Sequence, residues 1–316
     1  MNLDEQLYGT DMFGDVMKPE AASIVAERFG FPPFSVLDAR SGPWQDRKRA
    51  WASLGIKGEV GRDAVSYTCN GDNGKIYDYM PQFDTGTSIF DPVVCELAYR
   101  WFCRSGGQVV DPFAGGSVRG IVASALGLRY WGCDLRSEQI EANETQAHEI
   151  LGATSSTRPV WICGDSMETL EDAPPADLVF SCPPYGDLET YSDDPRDISN
   201  MEWHTFVAAY KRIILRSVKR LKQDRFACLV IGDFRDKRGF LRDIVSATIR
   251  AFAECGLELY NEAILVTSVG SACMRVSKQF QSGRKFAKTH QNVLVFCKGD
   301  WRKAAEYCNQ TIQEGE

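Results

Sequence analysis

Hydrophobic and polar positions alternate in two different rhythms along most of this chain. Short apolar runs end abruptly at polar or glycine-containing turns, at 108–110, 129–133, 160–163, 178–181, 226–232, 259–266 and 292–296. Longer stretches between them repeat their apolar positions every three to four residues. The clearest lies at 203–221, through Phe206, Tyr210, Ile213, Ile214 and Leu221. Period-two or continuous short runs predict strands, and the longer period predicts amphipathic helices. Helices are predicted at about 91–103, 118–126, 137–151, 203–221 and 240–255. Asp91-Pro92 supplies a cap and a first-turn proline for the first of them. Strands alternating with helices predict an α/β fold: a seven-stranded, largely parallel, Rossmann-like sheet with helices on both faces.

Residues 1–85 do not follow this rhythm and read as an irregular N-terminal extension. Phe31-Pro32-Pro33-Phe34 reads as an extended segment. Trp44 to Trp51 reads as a short helix carrying both tryptophans on one face, with Lys48 between them. Two readings of that helix stand. It packs its tryptophans on the main domain and leaves Arg47, Lys48 and Arg49 as solvated charge, or it is a basic, aromatic element touching a phosphate backbone. The expected organisation is 1–85 as an extension, 86–303 as the main domain and 304–316 as a tail.

Composition narrows the class. The chain has 316 residues, 44% of them hydrophobic and 25% charged, with a net charge of −7. That is ordinary for a globular protein and mildly unfavourable for a nucleic-acid binder, so a local basic patch becomes informative. No apolar run approaches the ~20 residues that span a bilayer, and no secretory leader is evident at the N-terminus. Eleven cysteines without a Cys-x-x-Cys pair argue against a disulfide framework and for a reducing cytoplasm. His148, His204 and His290 are far apart, and no metal site is expected.

The candidate chemistry lies where strands end. The first strand runs into Asp111-Pro112-Phe113-Ala114-Gly115-Gly116-Ser117. Glycines there allow a ligand close to the backbone, and the following helix N-terminus favours a negative group. Asp134 closes the second strand, where an acid hydrogen-bonds a ribose diol. Asp165 and Ser166 follow the third, where a carboxylate can accept from an adenine amino group. Neither G-x-G-x-x-G nor a Walker lysine is present, which weakens a dinucleotide reading and removes a P-loop. The fourth strand ends in Ser181-Cys182-Pro183-Pro184-Tyr185, where proline must stop the ladder.

These residues resemble the DNA amino-methyltransferase family. The 111–117 turn is similar to that family's D-P-F-x-G-S-G cofactor loop, and Cys182-Pro183-Pro184-Tyr185 to its [D/N/S]-P-P-[Y/F/W] motif. Residues 288–296 resemble its last strand, and 88–103 the helix before the cofactor loop. The resemblance covers about 86–300. It implies S-adenosylmethionine as methyl donor, with Ser88, Asp111, Pro112, Phe113, Gly115 and Gly116 lining it, Asp134 on the ribose, and Asp165 and Ser166 at the adenine. It implies DNA as partner, with a base flipped against Tyr185.

Two departures matter. Only sixteen residues separate Asp165 from Cys182, so no large target-recognition domain is inserted there. Recognition then falls to 1–85, to the loop after the motif, or to 267–291. That last stretch holds Arg275, Lys278, Arg284, Lys285 and Lys288 and no acidic residue, and reads as a phosphate-contacting loop. Second, a cysteine stands where the family carries a hydrogen-bond acceptor. A thiol accepts weakly, but a thiolate is a strong nucleophile. Four readings follow: carbon-5 methylation of cytosine through Cys182, amine methylation of cytosine or adenine with Cys182 tolerated, an inactive fold used for DNA or partner binding, or RNA or a small molecule as substrate. Asp187, Glu189 and Glu262 are the candidate proton carriers, chosen as residues following strand ends.

Overall fold

The computed structural model describes residues 30–56, 90–152, 157–186, 191–269 and 272–309, the side chains of 272–275 apart. Ser88, Asp187 and Glu189, and the side chain of Arg275, therefore lie outside the described residues.

Eight strands form one sheet. They are β1 (Val36–Asp38), β2 (Gln108–Asp111), β3 (Arg129–Asp134), β4 (Val160–Cys163), β5 (Ala176–Ser181), β6 (Leu221–Ile231), β7 (Glu258–Val266) and β8 (His290–Lys298). The order across the sheet is β1-β7-β8-β6-β5-β2-β3-β4. Only β8 runs antiparallel to its neighbours. The expected count of seven is corrected to eight. The extra strand, β1, comes from the region read as irregular and pairs in parallel with β7, Val36 opposite Ile264. Three residues are too few to show a period, so only the long-range pairing reveals it.

The helices are α1 (Gly42–Ser53), α2 (Pro92–Phe102), α3 (Val118–Ala125), α4 (Ser137–Leu151), α5 (Ser166–Thr169), α6 (Trp203–Arg220), α7 (Ile244–Glu254), α8 (Ala272–Gly283) and α9 (Trp301–Asn309). They cover both faces of the sheet, which is why β2 and β5 are buried along their whole length. Strand alternation divides the core. Leu178 and Phe180 join Trp51, Leu97, Tyr99 and Ile121 on one face. Val179 joins Phe206, Tyr210, Ile213 and Phe252 on the other.

Four further expectations are revised. The tryptophan helix exists as α1, with Trp44 and Trp51 buried, but Arg47 is not solvated: it is buried and ion-paired with Glu96. Lys48 pairs with Asp91 at 3.3 Å, and Arg49 with Asp46. The basic stretch 267–291 is not all loop, because α8 occupies its middle. The helix expected from 240 starts at Ile244, leaving Phe240 and Leu241 outside it and exposed. The expected tail begins inside α9, which buries Ala304 and Tyr307, the Tyr307 ring lying 3.3 Å from the Arg225 guanidinium carbon. Among the described residues no helix is long and apolar enough to cross a membrane.

The chain leaves β2 outward through β3 and β4, then returns to the opposite side of β2 as β5. Connections at the carboxyl ends of β2 and β5 therefore diverge to opposite faces. A crevice opens between them, the usual binding place in an open α/β sheet.

Candidate active site

A cavity of about 380 Å³ occupies that crevice. Its wall includes Pro112, Phe113, Gly115 and Gly116 from the turn after β2, Asp134 after β3, and Asp165 and Ser166 after β4. Cys182, Pro183, Pro184 and Tyr185 after β5 complete it. Four strand ends predicted separately from sequence thus meet in one volume.

Asp111 is the exception. It is fully buried behind the turn and does not line the cavity. Its carboxylate accepts from Ser181 Oγ at 2.5 Å, Arg119 Nε at 2.6 Å, Tyr130 Oη at 2.7 Å and the Phe113 amide at 3.1 Å. The Arg119 guanidinium also donates to the Ala114 carbonyl at 2.7 Å and to the Phe113 carbonyl. This buried pair fastens the glycine turn to β2, β3 and β5 at once. Burial disfavours the Arg119 cation, yet Asp111 outweighs it and holds Arg119 above its ordinary range. Burial, then Asp111, pushes the Tyr130 phenol well up, so it stays a donor.

The turn itself is shaped for a ligand. Gly115 takes a left-handed φ of 51°, donates its amide to Asp134 Oδ2 at 3.0 Å and accepts from Asn143 Nδ2 at 2.7 Å. A Cβ on Gly116 would meet nothing within 4 Å, so a side chain there would fill the cavity and not the core. Asp134 also accepts from the Arg136 amide at 3.0 Å. Asp165 caps α5 by accepting from the Met167 amide at 2.8 Å. Ser166 Oγ donates to the Pro112 carbonyl at 2.5 Å, which ties the third strand end to the turn. A glycine-walled turn with one carboxylate on each of the next two strand ends fits an adenosine bearing an amino-acid tail. These are the residues that would hold S-adenosylmethionine.

Opposite the turn, Cys182 is half-buried, its Sγ 3.9 Å from Tyr185 Oη. Gln291 Nε2 donates to that hydroxyl at 2.5 Å. With its lone pair engaged, the phenol proton is free to turn to the sulfur. Burial, then the neighbouring Cys182, pushes the Tyr185 phenol well up, so the ring stays protonated. Gly232 abuts Tyr185, where a Cβ would lie 3.4 Å from its ring and hydroxyl. Elsewhere in the fold, burial pushes the Cys133 and Cys308 thiols up to about 12 and Cys297 to about 11.

Aromatic rings continue from Tyr185 into the core. Phe234 lies edge-on at 6.2 Å, followed by Trp203 at 6.1 Å and Phe206 stacked at 5.4 Å. Tyr210 then stacks on Phe206 and reaches Phe113 of the cofactor turn. Of these rings only Tyr185 and Phe113 line the cavity, and the row between them ties its two halves together from behind.

Glu262 is corrected as a site residue. It lies within β7 and not at its end, accepts from Asn292 Nδ2 at 3.0 Å, and lines a separate, smaller groove. Lys278, Arg284, Lys285 and Lys288 do not line the cavity; Lys278, Arg284 and Lys288 are exposed and Lys285 is half-buried. Lys288 pairs with Asp233 at 3.0 Å. Sequence reasoning missed Gln291, Phe90, Asp91, Arg196 and, from α1, Lys48, all of which line the cavity. Gln291 stood inside the last-strand motif, and Lys48 on the tryptophan face. Their approach to Tyr185 and Asp91 is a matter of long-range packing. Among the described residues no group of three or more His, Cys, Asp or Glu is arranged to hold a metal.

No protein-family model matches the chain, and no curated protein does. Solved structures do. The chain is similar to TrmN from Thermus thermophilus at 15% identity, over 66% of this chain and only 49% of that one, with a TM-score of 0.46. It is similar to the precorrin-6y C5,15-methyltransferase of Geobacter metallireducens GS-15 at 13% identity, over 68% and 93% of the two chains, TM-score 0.43. It is also similar to the magnesium protoporphyrin IX methyltransferase ChlM of Synechocystis PCC 6803 with bound SAM, at 12% identity, over 72% and 93%, TM-score 0.43. What is similar in each case is the α/β fold.

Proposed function

We propose that this chain is an S-adenosylmethionine-dependent DNA methyltransferase that methylates carbon 5 of cytosine, with Cys182 as nucleophile. One observation carries the reading. Cys182 Sγ faces the same cavity as the Gly115-Gly116 turn, beside a phenol that Gln291 orients toward it. Bound against the turn, S-adenosylmethionine supplies the methyl group. The Cys182 thiolate adds to carbon 6 of a cytosine and pushes electron density onto carbon 5, which takes the methyl. Loss of the carbon-5 proton to a base then expels the thiolate and restores the ring. Asp187 and Glu189, next after Tyr185 in the chain, are the residues proposed for the proton transfers. Tyr185 forms the wall on which an extruded base stacks.

A second reading is favoured by the Pro183-Pro184-Tyr185 motif: methylation of an exocyclic amine, with Cys182 tolerated at the acceptor position. Purified protein incubated with unmodified DNA and S-adenosylmethionine separates the two after digestion to nucleosides. Mass spectrometry and chromatography should find 5-methylcytosine; N4-methylcytosine or N6-methyladenine would overturn the carbon-5 reading. The conservative variant Cys182→Ser gives opposite signs. It loses essentially all turnover if the sulfur is the nucleophile, since a hydroxyl is far less ionised and less nucleophilic. It keeps or gains activity if an amine is the target.

A further inference from the structure

The connection between β6 and α7 is a built knob and not a slack loop. The Asp236 amide donates to the Phe240 carbonyl at 2.8 Å, and the Gly239 amide to the Asp236 carbonyl at 2.8 Å. The Arg242 amide donates to the Phe234 carbonyl at 2.8 Å, and Arg235 bridges antiparallel to Leu241. The buried Asp236 carboxylate accepts from the Phe240 amide at 2.9 Å, and Gly239 makes the turn at a φ of 92°. This miniature hairpin displays Phe240 at 68% and Leu241 at 57% exposure. A turn so fully hydrogen-bonded has no folding reason to present two large apolar side chains to water.

Between 233 and 243 the cations Arg235, Lys237, Arg238 and Arg242 stand against the acids Asp233, Asp236 and Asp243, which are engaged with Lys288, Arg238 and Arg250 respectively. Arg238 also lies over the Phe240 ring at 5.7 Å, and Lys237 is exposed beside the tip. The knob continues into the acid-free segment after α8. Lys285 Nζ lies against Gly239, so close that a Cβ there would sit 2.5 Å from it. Phe280 and Phe286 stack at 6.0 Å, Phe286 is 79% exposed, and Arg284 covers the Phe280 ring at 5.2 Å. Exposed rings interleaved with cations form one surface, and Phe234 at the root of the knob packs on Tyr185.

We propose that this knob is part of a DNA-binding surface, with Phe240 and Leu241 inserted against the bases of duplex DNA and Lys237 on its phosphates. The proposal rests on the DNA methyltransferase reading above. Rings and apolar tips contact bases without regard to sequence, and cations track the backbone. The two roles separate by salt, because only phosphate neutralisation releases counterions.

The test is binding of sheared, unmethylated genomic DNA over a salt series, with S-adenosylmethionine affinity by calorimetry as a measure of intact fold. The double variant Phe240→Ser, Leu241→Ser should lose about tenfold in DNA affinity at every salt concentration, with the salt slope unchanged. The variant Lys237→Gln should flatten that slope by about 0.9 if Lys237 neutralises one phosphate. Both should bind S-adenosylmethionine as the wild type does. Wild-type DNA binding that both variants retain overturns the knob and leaves the methyltransferase reading standing. A wild type that binds no DNA, or binds an RNA hairpin more tightly, overturns the DNA reading itself.

Discussion

At the scale of single residues, the cavity separates side chains that hold the site from those that face a ligand. Asp111 and Gly116 belong to one short motif, yet Asp111 is fully buried with four partners while Gly116 faces open space. Gly116→Val is therefore expected to fold normally and lose S-adenosylmethionine binding, which thermal melts and calorimetry together would check. Asp134→Ala should weaken the same binding by about 1.5–3 kcal/mol, the size of a hydrogen bond to a charged group; unchanged affinity in the folded variant would remove Asp134 from the cofactor. The Gln291–Tyr185–Cys182 chain makes a different demand. Gln291→Leu and Tyr185→Phe should each slow alkylation of Cys182 at neutral pH several-fold, followed peptide by peptide. The double variant should be no slower than either single one, because both break one relay.

At the scale of elements, α1 is bound to α2 by a buried polar network, while β1 is held by its pairing with β7. Glu96 on α2 accepts from Arg47 Nε at 2.7 Å, Trp51 Nε1 at 2.8 Å and Arg100 Nε at 2.9 Å. Burial raises the Glu96 carboxyl, but Arg47 first and then Arg100 and Trp51 outweigh it and hold it below its ordinary value of 4.5. A carboxylate depressed in the folded state contributes stability above its unfolded value and loses it as pH falls through the folded one. Urea unfolding should therefore show stability dropping below about pH 4.5. Glu96→Gln should be less stable at neutral pH, by about 3–5 kcal/mol for a buried pair stripped of one partner, and should show a shallower acid limb. An acid limb unchanged in slope would assign the pH dependence to other carboxylates. Because Lys48 and Gln45 of α1 line the cavity, this anchor also fixes one wall of the site.

At the scale of the whole molecule, a protein of net charge −7 carries an acid-free segment, 267–291, whose ends supply Thr267, Ser268 and Gln291 to the cavity wall. Replacing Lys278, Arg284 and Lys285 together by glutamine should weaken DNA binding and lower the slope of log affinity against log salt. The fall should be roughly 0.9 for each phosphate that one of these cations had neutralised. Cofactor affinity should not move, since none of the three lines the cavity. An unchanged slope would put the phosphate-binding surface elsewhere on the molecule.

Local sequence determined a good deal by itself. Apolar runs stopped by Pro183, Pro112 or Gly164 mark strand ends without any tertiary knowledge, because backbone chemistry ends a strand locally. Alternating periods likewise predicted the α/β layering, and the tryptophan spacing predicted α1. Tertiary structure alone decided whatever depends on which segments meet. β1 is three residues whose partner is β7, and no period can be read from so short a run. Arg47 reads as solvated charge until the fold sets Glu96 opposite it, and Asp111 as a ligand contact until its partners from β3, α3 and β5 enclose it. Glu262 falls inside the apolar run 259–266, and hydrogen-bond register likewise places it mid-strand, opposite Leu294. The knob at 234–242 is held by hydrogen bonds among its own backbone and one aspartate, and its last residues, 240–242, read from sequence as the start of the following helix. Local propensity is encoded residue by residue, but a contact between distant residues exists only once the sheet order has brought their strands together.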